Sequence, residues 1–278
     1  IFPNRRSMVF FKKYLGECLT SPVITPKMLT INDFFFTVSG KSQADRVTLL
    51  LELYDCYKKL NPKAESLDEF IFWGDTLLAD FNDVDKYLVD ASQLFANIAD
   101  LKEIQDNFSY LTETQRKAIE GFLEHFSNDS GRLTVNLDST DPNVKERFLM
   151  IWNMLFRLYE DFNSVLDQKG IAYEGMVYRS LAERLKITSA QGMMRQTYPD
   201  IDCFVFVGLN ALNECEKTLL RKLRDASMAE FCWDYSGDLI KDPQNKSSFF
   251  LEENIREFRQ AAEWDPQPLP IPEINVIE

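Results

Sequence analysis

The segment Asp202-Cys203-Phe204-Val205-Phe206-Val207-Gly208 holds an unbroken apolar run between turn-forming residues. Such a run marks a strand buried on both faces, the condition of a parallel sheet. Asn213 is placed to cap a helix reaching Leu223, and Ala229-Glu230-Phe231-Cys232-Trp233-Asp234 reads as the next strand. Strand, helix and strand at this spacing predict a parallel crossover.

The opening residues share that texture. Phe2 reads as the tail of a strand, and Arg5 to Leu15 has helical periodicity with Met8, Phe11, Tyr14 and Leu15 on one side. A Pro-punctuated loop, Ser21 to Pro26, follows. The stretch from Leu29 to Phe36 is ambiguous: Thr30 or Asn32 could cap a short helix, while the Phe run suits a buried strand equally well.

From Ser42 the pattern is helical for about 140 residues. Ser66-Leu67-Asp68-Glu69 reads as a capping box opening a helix through Leu78. Further helices are expected from about Val84 through Phe95 and from Thr112 to Phe126, followed by an exposed loop from Ser127 to Pro142. The longest starts near Asn143 and stops before Gly170, a residue suited to a left-handed stop. Its stripe of Phe148, Trp152, Leu155, Tyr159, Phe162 and Leu166 predicts helix-on-helix packing. The expected fold class is therefore α/β: residues 1–41 and 186–278 form a parallel sheet domain, and 42–185 form an all-helical insertion. Both ends read as cut, since the chain closes on Ile274-Asn275-Val276-Ile277-Glu278, a strand just beginning.

No apolar run approaches the roughly 20 residues of a membrane-spanning helix, and the opening lacks a signal peptide's apolar stretch. A membrane partner is not expected. Five scattered cysteines without a C-x-x-C pair predict reduced, structural thiols and a cytoplasmic setting. The net charge of −13 opposes nucleic-acid binding on its face, but it is unevenly spread. Between Glu65 and Asp106 eleven acids face two lysines, whereas residues 1–13 hold Arg5, Arg6, Lys12 and Lys13 without an acid.

Catalytic motifs are incomplete. Gly40-Lys41-Ser42 ends like a phosphate-binding loop, but Phe35 stands where the first glycine belongs; the expectation is a loop in which Ser42 caps the next helix. Asp80-Phe81-Asn82-Asp83-Val84-Asp85 lacks the alternation and central glycine of a calcium loop and reads as a solvated helix junction. Asp167-Gln168-Lys169 carries a nuclease-like spacing but ends a helix instead of a strand. His125, the one histidine, sits near Ser127 without a G-x-S-x-G turn. No metal site is expected. The segment Phe2-Pro3-Asn4-Arg5-Arg6 is different in kind, because it sets two guanidinium groups after a strand and at a helix N-terminus, where backbone N–H groups also attract an anion. A solvated helix start, or pairing with the abundant acids, explains it equally well on local grounds.

The combination of Phe2-Pro3-Asn4-Arg5-Arg6, Trp73-Gly74-Asp75 through Asp80–Asp85, Tyr173-Glu174-Gly175-Met176, and Phe206 to Leu212 followed by Glu216 resembles the AddB-like, PD-(D/E)XK nuclease family in its Bacteroides-type version. The resemblance implies a RecA-like sheet domain (1A of UvrD-like helicases) with a helical insertion (1B), from a subunit that partners an AddA-like helicase-nuclease in double-strand-break repair. It implies that Asn4, Arg5 and Arg6, with Lys12 and Lys13, contact single-stranded or duplex-end DNA. It sets Phe204–Val207 at the second Walker motif, followed by Gly208-Leu209-Asn210 in place of Asp-Glu. A motor uses that Asp to hold Mg²⁺ and that Glu to activate water. ATP and Mg²⁺ then belong to the parent protein, if anywhere, and this segment is expected to be non-catalytic. Phe10 and Phe11 could stack bases, although helical spacing more often places such rings in a core. The rival expectations are an active P-loop ATPase cut short before its first Walker motif, and a helical interaction scaffold that never meets DNA.

Overall fold

The computed structural model describes residues 1–62, 64–94, 142–235, 240 and 246–261, with the backbone alone for 142–153 and 247. They are mostly helical with short parallel sheets, and the chain divides into two compact units, Ile1–Gly40 with Val177–Glu278, and Lys41–Met176. The expected helix from Thr112, the loop from Ser127, His125 and the closing strand all lie outside the described residues.

Parallel backbone pairing organises the first unit. Strand β3 (Phe204–Val207) pairs in parallel with β4 (Ala229–Cys232), Phe206 lying opposite Phe231. On the other side of β3, the Ile1 nitrogen donates to the Val205 carbonyl at 2.6 Å, and the Val207 N–H donates to the Ile1 carbonyl at 2.9 Å. Phe2 then turns its polar groups the opposite way, donating to Leu29 and accepting from Ile31, in a parallel bridge to Thr30. Neighbouring residues bonding to opposite sides is how an interior strand serves two partners. Beyond β4, Phe231 bridges to Gln260, again in parallel. Counted in chain order, the five segments lie in the spatial order 2-1-3-4-5.

Helices join these segments. Helix α1 (Arg5–Cys18) leads from Phe2 towards Thr30. The ambiguous stretch is helical: α2 (Ile31–Ser39) opens on a reciprocal capping box between Thr30 and Asp33 and ends at Gly40, whose φ of 75° is the left-handed stop. Local capping thus decides against the strand reading, while Phe34 and Phe35 are still fully buried. Phe34 meets Phe204 and Phe206 edge-on at 5.2 and 6.4 Å, and Phe206 stacks on Phe231 at 5.8 Å. The opposite face of β3 departs from expectation: Val205 is 38% exposed. Among the described residues that face receives less cover, so the apolar run does not imply burial on both sides.

The second unit holds the short parallel pair β1 (Ser42–Gln43) and β2 (Ile171–Ala172) with helices α3 (Arg46–Leu60), α4 (Leu67–Lys86) and α5 (Pro142–Gln168). Its core joins Leu53 and Tyr57 of α3, Phe70, Trp73 and Phe81 of α4, and Leu158, Phe162 and Leu166 of α5. Three expectations are corrected. Asp45, not Ser42, caps α3, its carboxylate accepting from the Val47 and Thr48 N–H groups at 3.0 Å, because Ser42 is already paired in β1. Ser66 occupies the cap of α4 without the reciprocal bonds of a box. And α4 does not stop at Leu78; Leu77, Phe81 and Val84 extend its buried stripe to the turn at Leu88, whose φ is 53°. The acidic run therefore lies inside a helix. The second unit ends at Met176, so most of helix α6 (Glu174–Ile187) belongs to the first unit, where Tyr178 stacks on Phe35 at 3.8 Å and helix α7 (Ala190–Thr197) follows.

Candidate nucleic-acid interface

In the first unit the strand order reverses between Ile1–Phe2 and β3: the chain leaves Phe2 for the neighbour on one side, then returns to build β3 on the other. Parallel sheets gather ligands outside the carboxyl ends of their strands at such a switch point. The residues leaving that edge are Pro3-Asn4-Arg5-Arg6 from one strand and Gly208-Leu209-Asn210 from its neighbour, two segments about 200 residues apart in sequence and adjacent through the Ile1–Val207 hydrogen bond. Both are among the sequence-derived candidates.

Asn4 has a structural task. Its Oδ1 accepts from the Ser7 N–H at 3.0 Å and capping α1 in this way leaves only its amide nitrogen for a ligand. Arg5, Arg6, Lys12 and Lys13 are all exposed, and α1 has no acid in its first turn. The helix carries four cations and one acid, Glu17, which lies 4.0 Å from Lys13. The helix dipole, the remaining first-turn N–H groups and two guanidinium groups gather positive potential at the same end.

The inward side of α1 differs from its sequence reading. Met8, Phe11 and Leu15 turn inward, Phe11 lying 5.1 Å from Phe2, but Tyr14 is 57% exposed. Phe10 is exposed as well, with the Arg6 guanidinium 5.7 Å from its ring, while Lys13 lies 5.8 Å from the Tyr14 ring.

Across the edge, Gly208 takes a φ of 67° and its N–H donates to Cys232 at 2.9 Å. Leu209 is buried, and Asn210 is exposed. The Asn210 carbonyl is held by Nδ2 of Asn254 at 2.5 Å, a buried residue of helix α9 (Phe249–Glu257). Nothing in the sequence marks Asn254 except an amide within an amphipathic helix. These residues do not fit a magnesium nucleotide: Gly208, Leu209 and Asn210 bring no carboxylate to the edge, and Leu209 is packed inward. Among the described residues no group of three or more His, Cys, Asp or Glu side chains could hold a metal ion.

The other motifs resolve into structural roles. Lys41 pairs with Asp167, so the Gly-Lys-Ser segment and the Asp-x-Lys triplet meet each other as an ion pair beside the β1–β2 pairing, while Lys169 pairs with Glu52. Cys56 and Cys215 are buried, whereas Cys18 and Cys203 are exposed. The family-like motifs of the helical unit meet one another. Tyr159 and Tyr173 both donate to the buried Asp85 carboxylate, Lys86 pairs with Glu174 at 2.8 Å, and the Gly175 N–H donates to Asn82 Oδ1 at 2.8 Å. Burial, with Asp85 beside it, pushes the Tyr173 hydroxyl well above the usual tyrosine range. No helix among the described residues is long and apolar enough to cross a membrane.

Comparison of the chain with protein-family models, with curated proteins and with solved structures finds no match in any of the three.

Proposed function

We propose that this chain is a helicase-like, ATPase-inactive segment of an AddB-like subunit that acts in double-strand-break processing and recombinational repair, where it guides DNA and docks an AddA-like partner. On this reading the first unit is a RecA-like domain of the 1A type and the second its 1B-like helical insertion. The observation that carries the reading is the switch-point edge, where a basic helix start and an acid-free loop after β3 leave adjacent parallel strands. Phosphate contact is served by Arg5 and Arg6; metal binding and water activation beside a nucleotide would need carboxylates that Gly208, Leu209 and Asn210 do not supply.

The test is binding of labelled single-stranded DNA at low salt, together with ATP turnover in its presence. The reading expects salt-sensitive binding that weakens in Arg5→Ala with Arg6→Ala, and no DNA-stimulated turnover. Absence of binding at the lowest salt favours a protein scaffold; stimulated turnover favours a motor.

A further inference from the structure

We infer that the outward face of α1 is a base-stacking platform, so that the polynucleotide recognised at this edge is single-stranded and is read through its bases as well as its phosphates; this rests on the nucleic-acid reading proposed above. Positions 6, 9, 10, 13 and 14 follow the three-and-four spacing of one helix face, and Val9, Phe10 and Tyr14 on it are exposed to 66%, 45% and 57%. A helix that turns aromatic rings to water while Phe11 and Leu15 face the unit has more apolar surface than its own packing uses.

The rings are not scattered among neutral residues. Arg6 lies 5.7 Å from the centre of the Phe10 ring and Lys13 5.8 Å from that of Tyr14, so cation and ring alternate along the face. A base laid on either ring brings its own phosphate within reach of a cation. That is the combination by which proteins hold single strands, with stacking indifferent to sequence and cations following the backbone. A duplex keeps its bases stacked on one another and offers this face only phosphates. Charge selects the occupant: with four cations to one acid, α1 repels a second copy of the same face and favours a polyanion over a neutral apolar helix.

Fluorescence anisotropy at low salt separates the contributions, using the full chain with oligothymidylate and with an abasic strand of equal length. The wild type should prefer oligothymidylate. Phe10→Ala with Tyr14→Ala should lose roughly tenfold or more in affinity for it and bind the abasic strand unchanged. Phe10→Trp with Tyr14→Trp should retain the preference, which shows that ring surface and not helix integrity is being read. Arg5→Ala with Arg6→Ala should weaken both strands alike. If the double alanine variant binds oligothymidylate as the wild type does while the arginine variant is weakened, the platform is overturned and the phosphate site survives. If the wild type binds neither strand, the nucleic-acid reading itself is overturned, and the platform with it.

Discussion

The amide of Gly175, at the start of α6, donates to Oδ1 of Asn82 on α4 at 2.8 Å, so close that a Cβ on residue 175 would fall well inside van der Waals distance of the Asn82 carbonyl oxygen. The neighbour is helix backbone and cannot swing aside. Gly175→Ala should therefore destabilise the helical unit by about 1–3 kcal/mol, the usual cost of overpacking. Gly16 in α1 has open space where its Cβ would be. There alanine should be neutral or stabilising, by about 0.5–1 kcal/mol, through better helix propensity. Urea denaturation of the two variants beside the wild type checks both signs.

Asp85 is fully buried, and the Tyr159 and Tyr173 hydroxyls both donate to its carboxylate. Removing one hydroxyl leaves a buried carboxylate short of a donor, so Tyr173→Phe should cost about 1–3 kcal/mol. Tyr159→Phe and the double variant complete a cycle that is expected to be non-additive, because the two hydroxyls serve one group. Tyr173 is also held protonated by its surroundings. A raised folded-state pKa contributes stability that is present below the ordinary tyrosine value and is lost as the pH rises through the raised one. Alkaline unfolding should accordingly begin later in Tyr173→Phe, relative to its own stability near neutrality, and tyrosinate absorbance should show one fewer late-titrating ring.

In the sheet unit, the Arg221 guanidinium of helix α8 (Glu214–Asp225) grips the Glu257 carboxylate of α9, with Nη2 at 2.9 Å from Oε2. The hydrogen bonds from Arg221 hold the Glu257 carboxyl below the usual glutamate range. A depressed folded-state pKa stabilises the fold above the ordinary glutamate value, and the contribution is lost as the pH falls through the depressed one. The melting temperature of the wild type should thus fall on acidification through that window, and Glu257→Gln should flatten this part of the profile. Partial exposure of both side chains keeps the effect modest.

The features legible in the sequence were those set by local chemistry. Gly170 stops α5 with a φ of 67°, Asn213 caps α8 with Glu216 reciprocating, and the β3–β4 crossover is parallel as its spacing implies. Features set by distant partners were not legible. Asp80 to Asp85 reads as a polar junction because its charges are visible in sequence, whereas the tyrosines that bury Asp85 come from α5 and from the turn before α6. Tyr14 fits an apolar stripe by period alone, yet of that stripe Met8, Phe11 and Leu15 are partly covered and Tyr14 is exposed. For the candidate site, the basic start of α1 and the acid-free loop were each readable; their adjacency depends on Ile1 pairing with β3, across about 200 residues. The hold of Asn254 on that loop left no trace in the sequence.

If the two segments at the switch point form one nucleic-acid surface, hydrogen exchange with and without a single-stranded oligonucleotide at low salt will report both together. Bound strand should slow exchange at residues 4–14 and again at 208–210, with the protection fading as salt is raised. Protection that falls only within the helical unit, or slowed exchange at 4–14 that persists in high salt, would contradict a shared surface.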